Sequence, residues 1–198
     1  MTFLFLFRIW YSVDWVTKGL YVGSVILANL QLIAAMNPCL CGHFGDTQKA
    51  CTCASAVVTK YQKRISGPFL DRIDIHIEVP RVDYEKLSGD RVGESSASIR
   101  ARVQAARVIQ QKRFSTNGSS DIICNADMRV GEIRQFCKLQ DKGQSLMRAA
   151  MTQLNLSARA YHHILKLART IADLAGSDEI QSAHLAEALQ YRPKMMMG

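Results

Sequence analysis

Four cysteines crowd into the stretch "CLCGHFGDTQKACTC", and their spacing points more directly to chemistry than any other feature of the chain. They form two C-x-C pairs: Cys39, Cys41, Cys51 and Cys53. Four thiolates can bind one tetrahedral Zn²⁺, and a metal whose four positions are all filled by protein is structural rather than catalytic. His43, in the same loop, is a candidate substitute ligand, and a solvated histidine is the alternative. Because C-x-C is tighter than the usual C-x₂-C spacing, four free cysteines in a surface loop are the alternative.

Disulfide and redox roles fit these cysteines less well. Six cysteines are too few for a disulfide scaffold in a chain of 198 residues, and four of them cluster. A redox site typically has a C-x-x-C motif at the start of a helix. Cys124 and Cys137 lie far from the cluster, and we expect them to be buried thiols.

Asn37 follows the apolar run "VILANLQLIAAM" (25–36). In open α/β sheets, ligands bind in the crevice outside the carboxyl ends of the strands. An amide at such an end can orient a water molecule or a phosphate oxygen. The alternative is that the Asn37-Pro38 pair only opens a turn.

Arg72 lies in "RISGPFLDRIDIHIEV", between a predicted helix end and a strand. A guanidinium binds phosphate bidentately and keeps its charge, so Arg72 is a candidate for neutralising charge in a transition state. An ion pair with Asp71 or Asp74 on the surface is the alternative.

Arg159 lies in "LNLSARAYHHILKLARTIADLAG", in the first turn of a predicted helix. The free backbone N–H groups of a first turn favour anions, and Lys166 and Arg169 follow on later turns. Most helical arginines are solvated, which is the alternative for all three.

The elements that position these residues can be predicted from the pattern of apolar residues. The continuous run 25–36 is typical of a strand buried on both faces of a parallel sheet. The segment 73–79 alternates, with Ile73, Ile75, Ile77 and Val79 on one face, as in a strand with one polar face.

From about residue 94 the pattern changes to that of helices. We predict helices over 95–114, 128–138, 142–154, 157–175 and 181–190. The apolar face of the first helix is expected to contain Ile99, Val103, Ala106 and Ile109, and Gly176 is expected to end the fourth helix.

The composition is that of an ordinary globular protein, and its positive charge fits an acidic partner. Hydrophobic residues make up 48% and charged residues 21% of the chain, and the net charge is +8. Nucleic acid, nucleotide phosphates and a membrane surface all fit this charge, but the cations are spread along the chain. The apolar start "MTFLFLFRIWYSVDWV" is interrupted by Arg8 and Asp14 and is too short to span a bilayer. It also lacks the features of a signal peptide, so we predict a cytoplasmic protein without a membrane partner.

Taken together and in this order, the motifs resemble those of the AAA+ ATPases, and most closely those of their magnesium-chelatase-like branch. Some members of this branch look like DNA helicases that act in transformation and recombination. The resemblance covers about residues 22 to 192. It rests on "LIAAMNPC", "ISGPFLDRIDIHIEVP", "NLSARAYHHILKLARTIADLAG" and "IQSAHLAEALQYR".

The resemblance implies an α/β fold and a role for each polar residue. Residues 25–88 would be the C-terminal part of an AAA+ P-loop core with parallel strands, and 94–198 an all-α helical lid. Asn37 would be sensor 1, which orients the attacking water. Arg72 would be the arginine finger of a neighbouring subunit's site, and Arg159 would be sensor 2. Asn37 and Arg159 would contact ATP bound with Mg²⁺ in a hexameric ring that acts on DNA.

The sequence departs from the family at its start. It contains no G-x-x-x-x-G-K-[ST] motif, and no apolar strand ending in Asp-Glu precedes Asn37. Residues 1–24 match nothing expected upstream of sensor 1. We therefore predict a truncated ATPase that does not hydrolyse ATP alone.

Two other functions stay open from the sequence. One is a non-enzymatic DNA-binding or scaffolding module, stabilised by zinc, whose basic helices 95–114 and 157–175 would grip phosphates. The other is a subunit of a metal chelatase, for which no residue here indicates a macrocycle site.

Overall fold

In the computed structural model the chain divides into two compact units, Met1–Arg81 and Val82–Gly198. The structure describes residues 2–11, 28–65, 67–79, 82, 88, 93–115 and 122–192. Part of the predicted N-terminal segment, residues 12–24, lies outside these ranges, as do 25–27 of the first predicted strand. Strands are confined to the first unit among the described residues, and the second unit is helical.

A three-stranded sheet forms the first unit. Its strands are β1 (Thr2–Tyr11), β2 (Ala28–Met36) and β3 (Ile75–Val79), in the order β2-β1-β3. β1 pairs antiparallel with both neighbours, with Phe3 opposite Met36 on one side and Glu78 on the other. The prediction of a parallel sheet is therefore wrong for the hydrogen-bonded pairs, although β2 and β3 do run in the same direction on either side of β1.

The residue types of β1 explain why this segment is extended, but not why it is the central strand. Thr2–Tyr11 is rich in the aromatic and branched residues that favour extended backbone. Pairing of this segment with β2 and β3 joins residues far apart in the chain, which periodicity does not reveal. The segment left without a predicted role thus supplies the strand that holds the other two together.

β2 buries one face rather than two. Leu32, Ala34 and Met36 pack with Leu70 against Ile73, which is 1% exposed. On the opposite face, Ile33 is 60% exposed. The prediction of burial on both faces is wrong, because only one side of the strand is covered within the described part of this unit.

Two helices connect β2 to β3. They are α1 (Ser55–Gln62), which follows the cysteine loop, and the single-turn helix α2 (Gly67–Leu70). Backbone bonds from Asp71 to Gly67 and from Ile73 to Leu70 lead the chain from α2 towards β3. β3 begins at Ile75, so Ile73 packs in the core ahead of the strand rather than within it.

The second unit contains five helices in its described residues, each within two residues of its predicted bounds. They are α3 (Ser96–Ser115), α4 (Val130–Phe136), α5 (Asp141–Gln153), α6 (Ala158–Leu174) and α7 (Ser182–Gln190), with a short 3₁₀ helix at Asn125–Asp127. Gly176 ends α6 as predicted. Its φ is +67°, and the N–H groups of Gly176 and Ser177 bond to the carbonyls of Asp173 and Ala172, which closes the helix in a Schellman motif.

α6 is the centre of the second core. Its small residues Ala168 and Ala172 are fully buried, and they let neighbouring helices approach closely. Around them pack Phe114 of α3, Cys137 after α4, Met147 of α5 and Leu185 of α7. Cys137 is 4% exposed, which confirms it as a buried thiol, and burial raises its pKa to about 12. Cys124 is only half-buried, and its sulfur donates to Asp127.

The apolar face predicted for α3 is mostly wrong. Ile99, Val103 and Ile109 are 41%, 41% and 37% exposed, and only Ala106 of the predicted set is buried. The buried residues recur at a spacing of four: Ala106, Gln110 and Phe114. The helix therefore packs on its own unit through its C-terminal half.

A buried ion-pair network joins α3, α6 and the 3₁₀ helix. The carboxylate of Asp173, whose side chain is 0% exposed, accepts from Arg113 Nη1 at 2.9 Å, from Arg169 Nε at 3.0 Å and from Asn125 Nδ2 at 2.7 Å. Arg113 Nη1 also donates to Asn125 Oδ1, and Arg169 Nη1 donates to the Asp178 carbonyl at 2.7 Å. The carboxylate thus balances two guanidinium groups that are largely removed from water.

We expect Asp173→Ala to reduce the free energy of unfolding by about 3–5 kcal/mol, because it leaves two buried cations without a counter-charge. Chemical denaturation of the whole chain measures this. The control is Glu94→Ala, which removes the exposed partner of Arg102 and should cost far less. Equal losses in the two variants would contradict the role of the network.

Candidate metal centre and phosphate-facing residues

The four cysteine sulfurs converge on one point in the first unit. The Sγ of Cys39 lies 3.4 Å from that of Cys41 and 3.7 Å from that of Cys51, and the last two are 3.5 Å apart. Cys53 completes the group, in which all four sulfurs lie within 4.8 Å of one another. Thiolates at about 2.3 Å from a tetrahedral zinc are about 3.8 Å from each other, so the set fits such an ion with little movement.

Turns in the backbone bring the two C-x-C pairs together. Gly42 and Gly45 both have φ near +80°, a conformation that glycine adopts without steric cost. The Gly42 N–H bonds to the Cys39 carbonyl at 3.1 Å, and the Asp46 carboxylate accepts from the N–H groups of Gln48 and Lys49. The loop is therefore folded by its own hydrogen bonds.

His43 does not join the sulfurs. Its Nδ1 lies 3.6 Å from a carboxylate oxygen of Asp46, and among the described residues the group able to hold a metal consists of the four cysteines alone. The geometry favours a four-sulfur site over one with a histidine ligand.

The thiols of the cluster differ in acidity. Backbone hydrogen bonds, the largest from the His43 N–H, lower the pKa of Cys41 to about 5. At Cys51 the Cys53 N–H also acts to lower the pKa, but desolvation and the nearby sulfurs of Cys41 and Cys39 raise it to about 12. One thiolate in the cluster thus opposes ionisation of its neighbours, and a divalent cation would relieve that repulsion.

The cysteine loop is fastened to helix α1. Pro38 and Cys39 are buried, and the Pro38 carbonyl accepts from Gln62 Nε2 at 3.2 Å. Val58, 4% exposed, packs on the same side of the helix one turn earlier. The orientation of α1 therefore depends on the loop that precedes it.

Asn37 lies directly after the last residue of β2 and is exposed. Its side chain is 4.0 Å from the position that a Cβ on Gly42 would take, so it lies against the first turn of the cysteine loop. The structure thus brings Asn37 and the cysteines into one local group. An exposed amide at this point is free to contact a ligand outside the strand end.

Arg72 lies between α2 and β3 and is exposed, while Ile73 next to it is buried. The Arg72 N–H bonds to the Phe69 carbonyl at 3.1 Å, which fixes the backbone at this residue. A buried neighbour and a bonded backbone hold the base of this exposed side chain.

Arg159 belongs to the second unit, in the first turn of α6. Ser157 caps this helix, because its hydroxyl accepts from the Ala160 N–H at 3.1 Å. Arg159 is exposed beside it. Arg169 and Lys166 take other roles: the first is buried against Asp173, and the second donates to the Ala126 carbonyl at 2.9 Å.

A groove of about 760 Å³ opens beside this turn, between α4, α5 and α6. Ala158, Tyr161 and His162 of α6 line it. The lining also contains three cations and no carboxylate; the cations are Arg134, Lys138 and Arg148. An anion is the complementary ligand. The groove was not evident from the sequence, because its walls come from three helices separated along the chain.

No helix in the described part of the chain is long and apolar enough to cross a membrane.

Comparison with known proteins gives the family. A profile described as "Magnesium chelatase, subunit ChlI C-terminal" matches residues 93–192, and one described as "Magnesium chelatase, subunit ChlI" matches residues 24–87. The chain belongs to this magnesium-chelatase family. The resemblance seen in the sequence is confirmed, and the chain corresponds to a C-terminal portion of such proteins.

Curated relatives of this family member are much longer. The chain is 45% identical over 167 residues to competence protein ComM of Haemophilus influenzae, which covers 83% of this chain but 31% of that protein. It is 43% identical over 166 residues to the uncharacterized protein YifB of Escherichia coli, with the same shares. The uncharacterized protein Rv2897c of Mycobacterium tuberculosis is 32% identical over 165 residues.

We expect Gly42→Ala to destabilise the cysteine loop by about 1–2 kcal/mol, because a side chain disfavours the left-handed backbone at this residue. Amide hydrogen exchange of residues 37–53 measures the loss. Gly67→Ala is the control, since no atom lies within 4 Å of its added Cβ and its φ is not in the positive region. Equal protection in both variants would contradict a constrained loop.

Proposed function

We propose that these residues are the sensor and arginine-finger portion of an AAA+ ATPase of the magnesium-chelatase-like family, working in an oligomer that acts on DNA. The residues of the first unit form part of a P-loop core, and those of the second unit form its helical lid. The observation that carries this proposal is the exposure of Asn37, Arg72 and Arg159, each on backbone fixed by a strand end, a turn or a helix cap.

Each residue has the chemistry its proposed role needs. The Asn37 amide would orient the attacking water, as sensor 1. The Arg72 guanidinium would reach the γ-phosphate of ATP bound by a neighbouring subunit, where it neutralises charge that develops during transfer. Arg159, in a first helical turn that already favours anions, would contact the phosphates from the lid as sensor 2. The sequence contains no phosphate-loop motif, so the loop and its Mg²⁺ ligands have to come from another segment.

DNA is the proposed polymer on which the oligomer acts. The net charge of +8 supports an acidic partner, and one of the similar proteins is named a competence protein. A non-enzymatic DNA-binding module is supported less well, because Arg113 of α3 and Arg169 of α6 are taken up by Asp173 rather than facing solvent. The chelatase alternative would need a macrocycle site, which none of the observations above supplies.

The cysteine cluster is proposed to hold one structural Zn²⁺. The four sulfurs fit the ion's distances and would fill its coordination, which leaves no open position for catalysis. The ion would hold the loop between Asn37 and α1 in one conformation.

For the ATPase we expect no hydrolysis by the 198-residue chain alone. Hydrolysis should appear when residues 25–198 follow the phosphate-loop half of a full-length relative, whose core would then have to supply a strand in place of β1. In that chimaera Arg72→Ala should reduce kcat on the order of 10³-fold, the effect of an arginine finger. Arg159→Ala and Asn37→Ala should also slow the reaction.

Two exposed cations serve as controls. Arg100→Ala removes an arginine of α3, and Lys142→Ala removes a cation at the same helical position in α5 that Arg159 has in α6. Both should leave kcat unchanged. Brisk hydrolysis by the unmodified chain, together with no effect of Arg72→Ala in the chimaera, would overturn the assignment.

For the metal we expect one zinc per chain by elemental analysis. Cys41→Ser should abolish it, because the hydroxyl is a poor substitute for a thiolate ligand. Cys124→Ser should retain it, since that sulfur bonds to Asp127 outside the cluster. Zinc at full occupancy in Cys41→Ser, or none in protein prepared without chelators, would contradict a four-sulfur site.

A further inference from the structure

The helix that follows the cysteine loop carries a basic face that has no part in the site described above. Between Asp46 and Asp71 the chain contains four cations, Lys49, Lys60, Lys63 and Arg64, and no carboxylate. Three of them cluster at the C-terminal end of α1, and all three are exposed. No ion pair is formed by these three among the described residues. The end of α1 is therefore a site of uncompensated positive charge.

The two sides of α1 differ in chemistry. One side is fastened to its own unit through the buried Val58 and through the hydrogen bond from Gln62 to Pro38. Lys60, Lys63 and Arg64 are spaced at i, i+3 and i+4, which places them within one turn on a common face. The Lys63 N–H bonds to the Thr59 carbonyl and the Arg64 N–H bonds to the Tyr61 carbonyl. These helix-type hydrogen bonds continue the turn of α1 through both residues.

A shallow depression of about 570 Å³ lies along this basic face. It is lined by Ser55, Ala56, Thr59, Lys60, Lys63 and Arg64. The lining contains cations, hydroxyls and a methyl group but no large apolar side chain. A protein partner would need apolar or aromatic anchors, whereas a phosphate backbone needs cations and hydroxyl donors. The chemistry therefore favours nucleic acid over protein.

We propose that this face of α1, defined by Lys60, Lys63 and Arg64, is a contact surface for the phosphate backbone of DNA. The inference deepens the proposed function and rests on it for the identity of the polymer. Successive phosphates of one strand are about 3.4 Å apart along the helix axis, so three cations within one helical turn can neutralise up to three phosphates. The contact carries no sequence information, because it involves only the backbone of the nucleic acid.

The position of α1 next to the cysteine loop gives this surface a fixed direction. Only one residue, Ala54, separates Cys53 from the start of the helix, and the loop is bonded to the helix through Gln62. Cations on a mobile segment lose both backbone and rotamer freedom when they bind a ligand. Cations on a helix that is held at both ends lose rotamer freedom only, so ordering them costs less.

The test is filter binding of a fluorescein-labelled 40-base-pair duplex to the whole chain, from 50 to 200 mM salt. The slope of log K against log salt becomes shallower by about 0.9 for each duplex phosphate that is no longer neutralised, and by about 0.7 on a single strand. We expect the triple variant Lys60→Gln/Lys63→Gln/Arg64→Gln to flatten the duplex slope by about 2–3, and each single variant by about 1.

A matched variant separates a local effect from one of net charge. Arg100→Gln/Arg129→Gln/Lys142→Gln removes three exposed cations of the second unit that do not line the groove beside α6, so it changes the net charge equally. It should leave the slope within about 1 of the unaltered chain. Circular dichroism checks that both triple variants stay folded. Equal slopes for the α1 variant and the unaltered chain, equal flattening in both triple variants, or no DNA binding by the unaltered chain would each overturn the inference.

Two further arms identify the phosphate source and separate this inference from the proposed function. Binding is repeated with 1 mM ATP at constant ionic strength; displacement of the duplex would make the face a nucleotide site and would overturn the inference. The ATPase of the chimaera is measured on the same α1 variant without DNA. If hydrolysis still depends on Arg72 while DNA binding ignores α1, the proposed function stands and the contact surface is rejected.

Discussion

The exit of the chain from β2 is the constraint on which the first unit depends. Met36 packs against Ile73, Asn37 is exposed, and Pro38 and Cys39 are buried again. Within four residues the chain thus leaves a core, presents one amide to solvent and enters a second small core made of sulfurs. A residue in such a position has little freedom to move, because the backbone on both sides is fixed by packing. This is the property that a side chain needs in order to orient a water molecule.

A single carboxylate has a comparable role in the second unit. Asp173 bonds to the largely buried Arg113 and Arg169, and through Asn125 it also fixes the turn that leads into α4. Burial of two arginines for one aspartate costs desolvation energy, and the hydrogen bonds to Asn125 and to the Asp178 carbonyl offset part of it. These bonds fasten the C-terminal part of α6, the helix whose first turn carries Arg159.

What could be predicted from the sequence is what local patterns determine. The helices of the second unit follow from apolar spacing, and Gly176 ends α6 because a left-handed residue is needed there. The convergence of the cysteines also follows from spacing, with Gly42 and Gly45 at the turns. These features depend on neighbours within a few residues along the chain.

What could not be predicted depends on partners distant in the chain. The pairing of β1 between β2 and β3 is invisible to periodicity, and so is the exposure of Ile33, which depends on what covers the sheet. The sequence suggested that Arg169 is solvated or binds phosphate. Its actual partner, Asp173, lies one turn further along the helix, and nothing in the local sequence shows that this carboxylate is buried. The basic face of α1 had a local signal, an acid-free stretch with three cations at helical spacing, but its exposure became apparent only with Val58 and Gln62 placed on the opposite side.

The central claim is that Arg72 acts on ATP bound by a neighbouring subunit, and mixed oligomers test it most directly. Chimaeric subunits with Arg72→Ala are mixed with subunits whose phosphate-loop lysine is replaced by alanine. Each parent is inactive alone, and the account predicts that the mixture regains hydrolysis, since the second subunit supplies the arginine to the intact nucleotide site of the first. A mixture as inactive as its parents, with co-assembly shown by analytical ultracentrifugation, would contradict it.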